Sequence, residues 1–384
     1  MSDQNQSILL DAPREVDIAQ IERELTKIWK QAASDANGEK NPVVRACSHN
    51  LVIFTEGNDR FGGLEEIVSQ VTVDHPSRIF LVSVDRRTAT PTIDAWVSAR
   101  CSLPVPGGKQ VCCEEINLNA GGTDANKIPS IITSLLLPDI PTFLVWKARL
   151  DGRDNILAEL VQLADRVLID SSEELRPAES LVSWGKFISE RRGRIAFGDL
   201  AWTHLVQWRS FLAQTFQPVE IRSQLPSIDA VTIEYSSTTT PLHSGLSQSL
   251  LAVGWLAHAL RLVLIHPFKE VKDGEYDAKF RLGEQAINIR LNPGPSRSNC
   301  PGGIESIVIH SANGGQVGYN MLPKEGGILQ RLSLSGLPPS ETVLSIHLQA
   351  EAELVSRELD ILYHDPLYES TVAVLTTLLS DDSR

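Results

Sequence analysis

The chain has 384 residues, 42% hydrophobic and 22% charged, with a formal net charge of −13. Single cores seldom grow past about 250–300 residues, so two domains are expected, and this ordinary globular composition excludes a disordered or fibrous chain. An acidic balance without a Lys/Arg cluster argues against a nucleic-acid partner, whose phosphates require clustered cations. No apolar run reaches spanning length, and the opening MSDQNQSILLDAPREVD lacks a basic region followed by an apolar core. No membrane partner is therefore expected, and the expected location is cytoplasmic. Five cysteines in so long a chain do not fit a small secreted disulfide scaffold and read as thiols for most of the time.

Asp17–Ala33 places Ile18, Ile21, Leu25, Ile28 and Trp29 at helical spacing, and SDANGEKNP then breaks the pattern. Strand-like and helix-like segments alternate after it: Val43–Thr55, a helix near Leu64–Val73, Ile79–Val84, a helix near Ala125–Leu136, Thr142–Trp146, a helix near Asn155–Leu163, and Arg166–Asp170. Such alternation predicts an α/β layer on a mainly parallel sheet, interrupted by a hairpin between Thr92 and Leu118. Ala178–Arg192 reads as a helix, with ERRGR (Glu190–Arg194) as a joint, so the boundary is placed at 195. The second part, 196–384, offers a strand at Asp229–Tyr235, a long apolar helix at Ser244–Leu262, and short β-like segments from Tyr276 to Leu334. A final helix spans Leu367–Leu379. The fold class expected is an α/β N-terminal domain, Rossmann-like without a phosphate loop, followed by an α+β C-terminal domain with an antiparallel sheet.

The usual catalytic signatures are missing from the sequence. No G-x-x-x-x-G-K-[ST] is present, and Gly107-Gly108-Lys109 leads into the strand-like QVCCEE instead of a helix. G-x-G-x-x-G after the early strands, G-x-S-x-G and H-E-x-x-H are missing as well. The nine histidines show no paired spacing for one helix face, so no metal site and no cofactor are expected. His258 reads as a hydrogen-bonded core histidine. Tyr235–Ser249 puts many hydroxyls before a helix, with Pro241 fit for its first turn. That is either a capped helix start or an anion site at free backbone N–H groups.

In the hairpin, Ala95, Val97, Ala99 and Cys101 share one face, as do Cys112, Ile116 and Leu118 on the returning strand. A turn centred on Pro106-Gly107 sets Cys101 opposite Cys112 and Arg100 opposite Cys113. Opposed residues on antiparallel strands have Cα atoms roughly 4.5–5.5 Å apart, within disulfide reach. Cys101 with Cys112 is thus a candidate redox pair, and Cys113 a candidate exchange thiol, more outward and lowered in pKa by Arg100. The alternative is small buried hydrophobes in a hairpin. Cys300 reads as an exposed loop thiol.

DLAWTHLVQWR (Asp199–Arg209) opens the second part. On a regular helix Trp202, Leu205, Val206, Leu212, Ala213 and Phe216 share one face, with Thr203, Gln207, Ser210 and Gln214 opposite. Arg209 lands within the apolar face and needs a carboxylate or another acceptor, since an unpaired buried guanidinium is costly. Trp202, Trp208 and Arg209 are candidates for a partner contact or for the domain junction.

Several stretches together resemble the OpcA-type glucose-6-phosphate dehydrogenase assembly proteins. They are HPSR (His75–Arg78), AWVSARC (Ala95–Cys101), QVCCEE (Gln110–Glu115), LLLPDIPT (Leu135–Thr142), ADRVLIDSS (Ala164–Ser172), DLAWTHLVQWR and LLAVGWLAHAL (Leu250–Leu260), in order across most of the chain. The leading IERELTKIW resembles the cyanobacterial branch. The resemblance implies a non-catalytic protein, not an enzyme, that binds glucose-6-phosphate dehydrogenase and promotes its active oligomer. That places it at the entry of the oxidative pentose phosphate pathway, with redox control in which thioredoxin is a candidate partner. Family members commonly read DLNWTRLTPWR, whereas this chain has Ala201, His204, Val206 and Gln207 at the varied positions. A mostly neutral His204 cannot replace a permanent cation. The alternative function is a sugar-phosphate-binding sensor or enzyme using the Ser/Thr-rich turn 235–249.

Overall fold

Apolar runs become strands and amphipathic runs become helices in the computed structural model, which describes residues 8–9, 12–36, 43–57, 63–102, 110–151, 153–237, 245–272, 274–296, 303–323 and 326–380. In chain order the elements are β1 (Ile8–Leu9), β2 (Arg14–Val16), α1 (Ile21–Ala36), β3 (Val43–Arg45), β4 (His49–Glu56), α2 (Leu64–Asp74), β5 (Ser77–Asp85), β6 (Thr92–Ser102), β7 (Gln110–Gly121), α3 (Ile128–Leu135), β8 (Thr142–Lys147), α4 (Asn155–Leu163) and β9 (Arg166–Ile169). There follow α5 (Pro177–Arg191), β10 (Ala196–Asp199), α6 (Leu200–His204), α7 (Val206–Thr215), α8 (Val219–Arg222), β11 (Ile228–Ser236), α9 (Leu246–Leu260), β12 (Val263–Lys272), β13 (Glu275–Leu282), β14 (Gln285–Gly294), β15 (Ile304–Ser311), β16 (Gln316–Met321), β17 (Gly327–Ser333), β18 (Ser340–Ser345), α10 (Glu351–Leu359) and α11 (Pro366–Leu379).

The chain divides into two compact units. The first comprises Met1–Ile169, Gly193–Gly198 and Ala350–His364, and the second Asp170–Arg192, Asp199–Gln349 and Asp365–Arg384. The division is interleaved, where the sequence suggested one cut at 195. The reason lies in side chains remote from that point. α10 packs on α2, where the Ser356 hydroxyl donates to Asp74 at 2.7 Å, and Arg166 of β9 holds Glu358 at 2.6 Å. Both members of that ion pair are buried, so each requires the other.

The sheet of the first unit runs β1-β6-β7-β5-β4-β8-β9-β10, with β2 beside β6 and β3 beside β7. From β7 through β5, β4 and β8 to β9 the pairing is parallel, and β6 lies antiparallel to β7. All but the last residue of β5 are buried, as expected of a strand covered on both faces by crossover helices. The second unit holds an eight-stranded sheet in the order β12-β13-β14-β11-β15-β16-β17-β18. Its neighbours pair antiparallel except β11 with β14, which are parallel. The long connection through α9, β12 and β13 lets the chain return beside β11 in the same direction. Register puts Val231 beside Ile289 and Ile309, and Thr232 beside Arg290 and Val308. The first row is buried in the apolar layer under α9, and the second belongs to the opposite face. The edge strands β12 and β18 escape sequence reading because exposure erases their alternation.

Candidate functional site

The cysteine hairpin gathers most of the charged core of the first unit. β6 and β7 pair with Arg100 opposite Cys113 and Cys101 opposite Cys112, and a disulfide joins Cys101 to Cys112 with Cα atoms 4.0 Å apart. The connecting turn, including Pro106 and Gly107, lies outside the described residues, as do Cys300 and most of the Ser/Thr-rich turn, 238–244. On the far side of β7, β3 pairs Arg45 with Cys112, so the bonded cysteine sits mid-sheet.

Cys113 is not outward, and its thiol is not activated. It is fully buried, with Ser77 N–H donating to its sulfur at 3.3 Å, and burial pushes it up to about 12. α2 and the start of β5 close the face that an isolated hairpin would leave open, and the Arg100 guanidinium turns to carboxylates instead. Arg100 Nε donates to Glu115 at 3.0 Å, and its two terminal nitrogens donate to Glu65 at 2.6 and 3.0 Å. Burial opposes the charge on Arg100, yet those carboxylates outweigh it and raise its pKa. Cys47, near enough to bear on Cys113, is likewise pushed up to about 11, first by burial and then by the charge of Glu114. Attack on a disulfide needs thiolate, so neither thiol is poised for exchange with Cys101–Cys112.

One residue beyond the cysteines, the fully buried Glu114 accepts from Trp29 Nε1 at 2.7 Å, Arg45 at 2.8 Å and Arg78 Nε at 2.7 Å. Arg78 continues to Glu22 of α1 at 2.5 Å. Glu114, Glu115 and Arg78 are not singled out by the sequence reading, although QVCCEE and HPSR carry them, and Arg100 is read there only as the cation beside Cys113. The signal was there: charged residues inside strands otherwise fit for burial require partners.

The segment 199–209 forms two helices instead of one. Leu205 N–H bonds the Trp202 carbonyl at 3.1 Å, three residues back, and this tighter turn resets the phase between α6 and α7. Thr203, assigned to the polar side, is therefore buried and donates to the Asp199 carbonyl, while Ala213 is exposed. Trp202 and Trp208 are both buried, so neither ring presents a surface to a partner. Trp202 Nε1 donates to Asp365 at 2.9 Å. Arg209 is half-buried within the second unit, its guanidinium carbon 3.4 Å from the Trp202 ring centre and Nη2 3.5 Å from the Trp202 carbonyl. The Trp202 carbonyl is an acceptor of the kind the sequence called for, and the indole face adds attraction to the cation. Asp199 caps α6, its Oδ1 accepting from Ala201 N–H at 3.0 Å and Ser171 N–H at 3.1 Å, and burial, then the charge of Asp170, pushes it up to about 7.

Among the described residues no group of His, Cys, Asp or Glu could hold a metal ion, and no helix is long and apolar enough to cross a membrane.

A mixed α/β chain of two units, with a disulfide set in a charged sheet, is the class defined by this geometry. Residues 68–185 match the family model described as glucose-6-phosphate dehydrogenase subunit N-terminal domain, and residues 195–372 match that of the C-terminal domain. The chain belongs to the OpcA-type glucose-6-phosphate dehydrogenase assembly family. It is 25% identical over 338 residues to "Putative OxPP cycle protein OpcA" of Synechocystis sp., covering 82% of this chain and 66% of that one. The protein of the same name from Nostoc punctiforme is 27% identical over 216 residues, covering 56% of this chain and 44% of that one. The aligned region thus spans less than two thirds of either relative. Among solved structures, the WlbA (WbpB) dehydrogenase from Thermus thermophilus aligns over 86% of this chain and 94% of its own, at 11% identity and a TM-score of 0.43. A likeness so low carries no argument about activity.

Proposed function

We propose that this chain is a non-catalytic activator and assembly factor for glucose-6-phosphate dehydrogenase, acting at the entry of the oxidative pentose phosphate pathway and responsive to redox state through Cys101–Cys112. The Cys101–Cys112 disulfide, in a family described by that dehydrogenase, carries the reading. The location proposed with this role is the cytoplasm. Disulfides there are usually catalytic or redox-sensing rather than structural. A dithiol reductant of the thioredoxin kind would supply the two electrons and two protons that convert Cys101–Cys112 to two thiols. The two strands stay paired by their backbone ladder, but the covalent link between Cys101 and Cys112 is then gone.

The test is a mixing assay. Purified chain, inactive alone, should raise the rate or lower the KM of the cognate dehydrogenase, and reductant should change the size of that effect. A dehydrogenase indifferent to the chain in both redox states would sink the proposal.

A further inference from the structure

Within the second unit, Asp199 opens α6 with a carboxyl that is fully buried. Its Oδ1 is spent twice on backbone, accepting from Ala201 N–H in α6 and from Ser171 N–H in the single turn Ser171–Glu173. The other oxygen, Oδ2, has no hydrogen bond, and neither has the Ser171 hydroxyl, which is also fully buried. The two groups are neighbours: the hydroxyl is near enough to favour the ionised carboxyl without completing a bond to it. Ser171 is held from its other side as well, its carbonyl accepting from the Ser247 hydroxyl of α9 at 2.5 Å. α6, α9 and the turn therefore meet on one serine.

The surroundings give that carboxyl no cation. The turn brings Asp170 and Glu173, α6 brings His204, the early turns of α5 bring Glu179 and Lys186, and α9 has no ionisable side chain before His258. Among the described residues none forms an ion pair with Asp199, and the charge of Asp170 adds to burial in disfavouring the ion. A buried carboxylate without a cation, and with a second carboxylate close by, is relieved by taking up a proton. A proton on Oδ2 turns that oxygen from acceptor into donor, and a serine hydroxyl, which both donates and accepts, can receive it.

We propose that Asp199 and Ser171 form a proton-operated clasp. It is closed while Oδ2 holds a proton and donates it to the Ser171 hydroxyl, and it loosens when that proton passes to solvent and two carboxylates stand together at the start of α6. One proton exchanged with water is the whole step, and no bond between heavy atoms is made or broken. Loosening frees Ser171 from α6 and slackens the contact that α9 makes through it. The folded chain holds a proton that the opened segment releases, so opening becomes easier as pH rises from about 4 to about 7 and no easier above. The clasp concerns the chain alone and does not rest on the dehydrogenase reading.

The experiment follows amide hydrogen exchange of the full chain and of Asp199→Asn across that pH range. Exchange at Ser171 and Ala201, taken as a ratio to the variant, should rise roughly tenfold per pH unit between about 4 and about 7, as for opening linked to one proton, and level off above. Val82, inside β5, should show no such slope. Infrared absorption reads the proton itself. Ordinary carboxylates are ionised by about pH 6, so a protonated-carboxyl band should survive there in the unaltered chain and fade through about 7. Ser171→Ala should move that band to higher frequency, because the proton loses its acceptor. If Asp199→Asn does not fold, the infrared band decides alone. A ratio flat with pH, an equal slope at Val82, no protonated band at that pH, or a band that Ser171→Ala leaves in place overturns the inference.

Discussion

Asp199→Asn should make the chain more stable at neutral pH, by an amount that depends on pH in a stated direction. The carboxyl is fully buried, and its pKa rises from 3.8 to about 7, so between those values the folded state holds a proton that the unfolded chain has released. Stability therefore falls as pH rises from about 4 to about 7 and levels off above. The shift is about three units, and at 1.36 kcal/mol each it is worth roughly 4 kcal/mol. Asparagine keeps an oxygen to accept from Ala201 and Ser171, so the cap survives and only the titration is removed. Urea unfolding followed by tryptophan fluorescence, run on both proteins at several pH values, isolates this group because all other titrations cancel in the difference. The advantage of the variant should be smallest near pH 4 and widen to roughly 4 kcal/mol by neutral pH. A difference that is flat with pH, or that narrows as pH rises, refutes the reasoning.

Closing the 11-residue separation between Cys101 and Cys112 should contribute about 2–3 kcal/mol, so Cys101→Ser should lose that much under oxidising conditions and match the unaltered chain in reductant. The same variant should activate the dehydrogenase to one extent in both conditions, and surviving redox dependence would place the switch elsewhere. Glu114→Gln leaves Arg45 and Arg78 without their shared carboxylate and should lower stability by roughly 3–5 kcal/mol in denaturant titration. Arg209→Leu should cost roughly 1 kcal/mol, the worth of a partly shielded cation over an indole, with activation of the dehydrogenase intact at temperatures where the variant is folded. Lost activation with unchanged melting would instead make Arg209 a partner contact.

Local pattern alone determined much of this molecule. The alternation of apolar runs with amphipathic segments specifies β4, β5, β8 and β9 and the helices between them, because a parallel strand must be apolar throughout and its crossover must be one-sided. The opposition of Cys101 and Cys112 is legible in the same way, since the period of two on both arms of the hairpin fixes which residues meet. What the sequence withheld depends on atoms brought from far along the chain. Whether Cys113 faces solvent is decided by α2, some forty residues earlier. The Trp202 ring comes to lie over Arg209 because the turn at Leu205 tightens, and no one-dimensional wheel carries that change of phase. α10 returns to the first unit because Glu358 and Ser356 find Arg166 and Asp74 there. Period and turn chemistry act between neighbours and can be read in order; burial of a charge is settled by whichever partner arrives in space, and only the tertiary structure names it.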